Sequence, residues 1–354
     1  MSIQRNWWDL TGCGSRFCED VIAALGSSRS VALVGSDIPW IDVFHEKLKG
    51  ANISASKAFE TICGADITRP AEYLFGRYCT TEIQSNYWPN PPAYTHVDFL
   101  AENNEVIINR RFVVVRDFAS EKSFFRWCDF AEKYSKRIKS AGIDPDDRAV
   151  FILEYGGGRS SASRLDAVLV IPFEPKDVDM FTYNLVNTAD DYNAYLINRY
   201  AAELIGELCG GDVELCGYLS EYDGLAEHPA ATYRSFARDY SVSECLALEQ
   251  INSAVLLAQF KVFFPLIEQK RRELIARYYE AIRLCLPWKN DYNEDKIEPY
   301  DMELRDLIFK FGAIGVSEAD RNTIKILRDA RNQLAHNHAL TYEDIMGFVT
   351  VSRN

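Results

Sequence analysis

The hydrophobic pattern of this chain changes character once, near Ser241, and that change confines it to two kinds of core. Before it, short β-branched runs alternate with helical stretches, the pattern of an α/β domain with a mainly parallel sheet. The runs expected to be strands are Ser30–Gly35, Arg111–Arg116, Ala149–Tyr155 and Asp166–Pro172. Ile41–Leu48, Glu121–Ile138 and Asp190–Leu208 have apolar residues at helical spacing, most regularly Phe124, Phe125, Cys128, Phe130, Ala131 and Tyr134. After Ser241 no β-rich run remains. Glu244–Phe263 and Leu266–Leu284 predict two helices, or one bent at Pro265, because an interior proline lacks a backbone donor and clashes one turn back. A polar loop, Trp288–Glu298, is followed by a helix over Met302–Phe311. Ser317 with Asp320, and Thr341 with Asp344, read as N-caps opening two more helices. With 354 residues the chain can bury two cores. The expected domains are residues 1–240, α/β, and residues 241–354, an all-α helical bundle.

Composition narrows the partners. A hydrophobic fraction of 47% with 26% charged residues is that of an ordinary globular protein. The nine cysteines include no CxxC pair and no neighbouring histidine pair at zinc-finger spacing, so they read as reduced, mostly buried thiols. The start, MSIQRNWWDL, has no basic stretch leading into an apolar run, and no window reaches the ~18 apolar residues that span a bilayer. A cytoplasmic protein without a membrane partner is expected. The net charge of −13 argues against a broadly basic nucleic-acid-coating surface. Residues 241–354 hold 15 lysines and arginines against 17 acids, so −11 of that charge belongs to residues 1–240 and a local RNA site downstream stays open.

The residues with the clearest chemistry lie late in the chain. On the helix opened by Ser317, the apolar stripe Ile324, Leu327, Ala330 and Leu334 leaves Arg331, Asn332 and His336 on other sides. Asn332 and His336, four apart, share a face, whereas Arg331 and His336 diverge by about 140° on an ideal helix. One helix therefore does not focus both on one point, but a two-fold dimer could assemble a shared cleft from two. An imidazole can take the proton of a ribose 2′-hydroxyl or supply one to the leaving oxygen, and a guanidinium can hold the phosphate while charge builds on it. No metal is required. The alternative is structural: Arg331 and Asn332 cap the helix C-terminus and His336 bonds a backbone carbonyl.

The segment LRDARNQLAHNHALTYEDI resembles the last segment of HEPN domains, whose signature is an arginine, a polar residue that is often asparagine, a few more residues and a histidine near the end of a helix. The resemblance covers roughly the final 110 residues. It implies an all-α bundle that dimerises, Arg331 and His336 as catalytic residues, Asn332 as a supporting polar group, and an endoribonuclease of the kind found in antiviral defence and toxin–antitoxin systems. His338 falls outside the signature. The family also contains inactive members that bind RNA or partner proteins, so the resemblance equally allows an assembly or sensor subunit acting beside a partner protein of the same system.

Upstream, Val31-Ala32-Leu33-Val34 running into Gly35-Ser36-Asp37 sits where a P-loop would lie, but no GxxxxGK[ST] occurs and Pro39 and Trp40 stand where a lysine and phosphate-cradling amides would be needed. Arg111–Asp117 (RFVVVRD) has the form of a Walker B strand, interrupted by Arg116. Over roughly 200 residues the order resembles a STAND/AAA-type ATPase domain without its catalytic loop. That implies a regulatory or scaffold role, with ATP and Mg²⁺ not expected; Gly35 and Asp117 are its only nucleotide-site candidates. The alternative for Asp117 is to cap the helix starting near Ser120. The glycine-rich segment from Glu154 to Ser161, with Arg159 and Arg164, could accept an anion, though the strand that follows lacks the dipole of a helix N-terminus. Trp7 and Trp8 read as core or interface anchors.

Overall fold

The structure, a computed structural model, describes residues 2–35, 38–51, 53, 57–65, 67–156, 167–170, 175–186, 192–290 and 292–352. Two compact units divide the chain, Met1–Glu174 and Pro175–Asn354.

The first unit runs α1 (Ile3–Leu10), α2 (Gly12–Gly26), β1 (Val31–Val34), α3 (Ile41–Gly50), β2 (Ala58–Cys63), α4 (Pro70–Tyr78), α5 (Thr81–Ser85), α6 (His96–Glu102), β3 (Arg111–Arg116), α7 (Glu121–Ser140), β4 (Val150–Tyr155) and β5 (Ala167–Val170). The strands form one parallel sheet in the order β2-β3-β4-β1-β5. β1 and the centres of β3 and β4 are buried along their length, as expected of parallel strands covered on both faces. On one face α7 lays Trp127, Phe130 and Tyr134 around Phe151 of β4, with ring centroids 6.2, 5.3 and 5.5 Å away. Another aromatic cluster joins α1, α2 and α3, where Trp8 packs 5.1 Å from Phe44 and its indole N–H donates to the Pro39 carbonyl at 3.1 Å. Trp7 and Trp8 are thus core residues.

All four expected strands form, and a fifth joins them. β2 escapes the sequence pattern because it lies at the sheet edge, where only Ile62 is buried and Glu60 serves polar partners. Arg111 donates to that carboxylate at 2.7 Å and the Tyr78 hydroxyl at 3.0 Å.

The second unit contains α8 (Pro175–Val186), α9 (Tyr192–Cys209), α10 (Val213–Leu219), α11 (Pro229–Asp239), α12 (Leu248–Arg277), α13 (Tyr279–Arg283), a two-stranded antiparallel ribbon of β6 (Trp288–Lys289) and β7 (Asp295–Lys296), α14 (Leu304–Phe311), α15 (Glu318–Ala335) and α16 (Tyr342–Ser352). The boundary expected near Ser241 is therefore corrected to Glu174/Pro175. α9 packs along α12, with Tyr200 5.6 Å from Phe263 and Lys261 bridging Glu203 at 3.2 Å and Glu207 at 2.8 Å. Residues upstream of Ser241 thus belong to the helical core, and the shift at Ser241 marks its longest helix rather than its edge.

α12 passes through Pro265 without ending. Pro265 and Lys261, whose carbonyl loses its partner, are both exposed, so the missing bond falls on the outer side of the helix. The interior-proline cost of about 3 kcal/mol is set against burial of Val262, Phe263, Ile267 and Leu274 around it. α12 is also the one described helix long and apolar enough to cross a membrane, with a mean hydropathy of 1.3 over its apolar window and 44% of that window buried. Reading residue by residue passes over this because Asn252, Ser253, Gln259 and Lys261 interrupt the run.

The turn between α1 and α2 depends on a residue without a side chain. A Cβ at Gly14 would lie 2.6 Å from the Trp7 carbonyl oxygen and 2.8 Å from Thr11 Oγ1. Gly14→Ala is expected to destabilise the first unit by about 1–3 kcal/mol, read as a lower urea midpoint with an unchanged slope.

Candidate functional site

α15 is built to bury one side and hold its ends. Asp320, Thr323, Ile324, Leu327, Ala330 and Leu334 are buried, which includes the whole expected stripe. At the N-terminus Ser317 Oγ accepts from the Asp320 amide at 3.1 Å. The Asp320 carboxylate in turn accepts from Arg277 and from the Tyr278 hydroxyl, each at 2.6 Å. Burial works to raise the Asp320 carboxyl, but hydrogen bonds from Tyr278 and Ser317 and the Arg277 guanidinium outweigh it and hold the group below the usual carboxylate range.

The C-terminus is closed by backbone alone. His336 is the C-cap, Asn337 takes a left-handed conformation at φ 58°, and the chain turns back. The Asn337 amide donates to the Leu334 carbonyl at 2.8 Å and the His338 amide to the Gln333 carbonyl at 2.9 Å, the paired bonds of a Schellman motif. Asparagine tolerates this conformation better than other residues with a Cβ. Capping therefore uses no side chain of Arg331, Asn332 or His336. All three are exposed, as is His338, and none of the four has a side-chain hydrogen bond or ion pair among the described residues.

Arg331 and Asn332 open onto a groove of about 270 Å³ walled by α12, the turn Pro299–Asp301, α14 and α15. Four arginines and three acids line it: Arg271, Arg305, Arg328 and Arg331 with Glu268, Asp301 and Glu303. Most of these charges are engaged. Arg271 grips both oxygens of Glu268 at 2.8 and 2.7 Å and, with Arg272, holds its carboxyl down to about 2. Arg271 also donates to the Met302 carbonyl at 2.6 Å. Arg328 is paired with Asp329, Arg305 lies over the Tyr292 ring, and Asp301 accepts from the amides of Ile297 and Glu298. Arg331 has no such partner among the described residues, and Tyr300 and Phe264 line the groove beside it.

His336 is not one of the groove's walls. The structure thus brings Arg331 and Asn332 together in the groove and sets His336 one turn beyond, at the helix end, as the divergence on the helix requires. Sequence reasoning missed Arg271, Arg305 and Tyr300, which come from other elements. Arg328 was within reach of it, standing three and four residues before Arg331 and Asn332 on the same helix face. Gln259 was also missed; its buried amide pairs with the backbone of Leu340, just past His338.

In the first unit, Gly35 and Asp117 close β1 and β3 at the carboxyl edge of the sheet. The chain leaving β1 must cross β4 and β3 to reach β2, while the chain leaving β4 must cross β1 to reach β5. Such a reversal is where open α/β sheets form a ligand crevice. Gly35 has φ 126°, which a residue with a side chain rarely adopts. Asp117 is exposed, with φ 58° and Arg116 as its ion-pair partner at 3.6 Å. It does not cap α7; Ser120 does, accepting from the Ser123 amide. At the end of β4, buried Glu154 meets buried His45 of α3 at 2.6 Å. Ser36, Asp37 and the loop from Gly157 to Arg164 lie outside the described residues. Among the described residues no three His, Cys, Asp or Glu side chains converge as metal ligands.

Compared with known proteins, the chain matches no protein-family model and no curated protein.

Two measurements test this geometry. Asn337→Ala is expected to cost about 1–2 kcal/mol through the left-handed conformation, while Asn337→Gly keeps wild-type thermal stability. Because folded Asp320 binds its proton less tightly than in the unfolded chain, its stabilisation is full above the ordinary carboxylate range and is lost as pH falls through the folded value. Acid titration of unfolding free energy is expected to show a shallower decline in Asp320→Asn than in wild type.

Proposed function

We propose that the helical unit is a HEPN-like, metal-independent endoribonuclease and that the α/β unit is a degenerate ATPase-like regulator, as in an antiviral or toxin–antitoxin effector. The observation that carries this reading is the free side chains of Arg331, Asn332 and His336 on a helix end whose capping does not use them. An exposed arginine at an aromatic-walled groove suits a phosphodiester, and an unengaged imidazole suits proton transfer. His336 accepts the ribose 2′-hydroxyl proton, the 2′-oxygen attacks phosphorus, and the bond to the 5′-oxygen breaks as that oxygen takes a proton back from the imidazolium. The products are a 2′,3′-cyclic phosphate and a 5′-hydroxyl, with Arg331 balancing charge on the phosphoryl oxygens. Since Arg331 and His336 do not share a groove within one chain, the reading requires a homodimer in which both copies contribute their Arg331 and His336 to a shared cleft.

That separation also favours a second reading, in which the helical unit is inactive and the chain serves as an assembly or sensor subunit for a partner protein. Purified protein is expected to behave as a dimer in light scattering and to cut single-stranded RNA in the presence of EDTA, leaving cyclic phosphate ends. His336→Ala and Arg331→Ala are each expected to lower the rate by about 10²–10⁴-fold. Full activity in His336→Ala overturns that residue's role; a monomer without nuclease activity selects the second reading.

A further inference from the structure

The turn that carries His336 and His338 is tied to α12 by the Gln259 side chain and to α16 by Asp344, which accepts from the Gln333 amide group at 3.3 Å. Gln259, midway along α12, is the only buried polar residue on that helix among those described. Its amide meets Leu340 on both sides: Nε2 donates to the Leu340 carbonyl at 3.0 Å, and the Leu340 amide donates to Oε1 at 2.7 Å. Nε2 also lies 3.4 Å from the hydroxyl of Tyr200 on α9. Leu340 is buried, two residues past His338 and four past His336. The segment is therefore held by the Schellman bonds to α15 and by the Gln333–Asp344 bond to α16, and Gln259 is what ties it to α12.

We propose that Gln259 is a positioning residue that sets where the His336–His338 turn stands relative to Arg331. The inference rests on the RNA-cleaving reading. An apolar residue would suit the buried face of α12 at least as well, since a buried amide contributes favourably only when its hydrogen bonds are made. A primary amide offers one acceptor and one donor side by side, the complement of a single residue's N–H and C=O. Leucine offers neither, and an ionised carboxylate accepts but cannot donate. A protonated glutamic acid restores both roles. Tyr200, the ionisable group in hydrogen-bond contact with Gln259, is pushed up to about 12 by burial and stays a neutral hydroxyl throughout an ordinary pH series.

The test uses the full chain with Gln259→Leu and Gln259→Glu beside wild type. Cleavage of a fluorescent single-stranded RNA is followed from pH 5 to 8, with amide hydrogen exchange on the same samples. Gln259→Leu is expected to lower kcat about tenfold or more at every pH, leave KM within about twofold, and unprotect the Leu340 amide. Gln259→Glu is expected to match it at pH 8 and to recover toward wild type as pH falls, a rescue that a general loss of stability would not produce. Wild-type kcat in both variants overturns the positioning role, as does a Gln259→Glu defect that is the same at every pH. If the wild type cuts no RNA, the nuclease reading fails first; unchanged Leu340 exchange in Gln259→Leu then overturns the clamp itself. If Gln259→Leu does not fold, the pH series of Gln259→Glu decides alone.

Discussion

The helical unit depends on how α12 buries a mostly apolar surface on more than one side. Tyr200 of α9 rests on Phe263, Phe348 of α16 lies 5.5 Å from the same ring, and Ile267 lines the groove shared with α15. A helix with apolar residues on several sides has to be surrounded. Surrounding it draws α9 from upstream of Ser241 and α15 and α16 from downstream into one core. The burial that results tolerates Pro265 in the helix interior and a buried glutamine in its apolar run.

α15 solves a different problem. Its N-terminus concentrates polar groups, with Asp320 accepting from Arg277, Tyr278 and Ser317, and is a firm structural anchor. Its C-terminus spends only backbone groups and one left-handed asparagine on closure. That asymmetry concentrates unengaged polar side chains at one end of the helix, beside a groove whose other charges are mostly satisfied internally. Arg331 stands out there because Arg271, Arg305 and Arg328 are already held by carboxylate, carbonyl or aromatic partners.

In the first unit the sheet order puts its topological reversal at the carboxyl ends of β1 and β4, the edge that carries a glycine with positive φ after β1 and the buried His45–Glu154 pair at the end of β4. The absence of a GxxxxGK[ST] segment leaves the sheet without a phosphate-gripping lysine at that position. Asp117, the acid that completes the Walker B-like strand, is exposed and bound to its neighbour Arg116, so the strand ends in solvent.

Period and end signals were legible in the sequence alone. The strands at β1, β3, β4 and β5, the apolar stripe of α15 and the caps at Ser317 and Thr341 depend on residues close in the chain, whose spacing carries the physics directly. The divergence of Arg331 and His336 was legible for the same reason. What depends on residues far apart was not. Edge strand β2 looks unlike a buried strand because its partner on one side is water, and Glu60 makes sense only once Arg111 and Tyr78 reach it. The division at Glu174/Pro175 was invisible because α9 is assigned by what it packs against, not by its composition. Gln259 reads as an ordinary polar residue until Leu340, 81 positions away in sequence, presents its N–H and C=O. Local periodicity and capping therefore determined which segments could be helix or strand and which residues could do chemistry. Tertiary packing alone decided which of those side chains are consumed by the fold and which remain free, because burial and hydrogen-bond satisfaction are properties of neighbours in space.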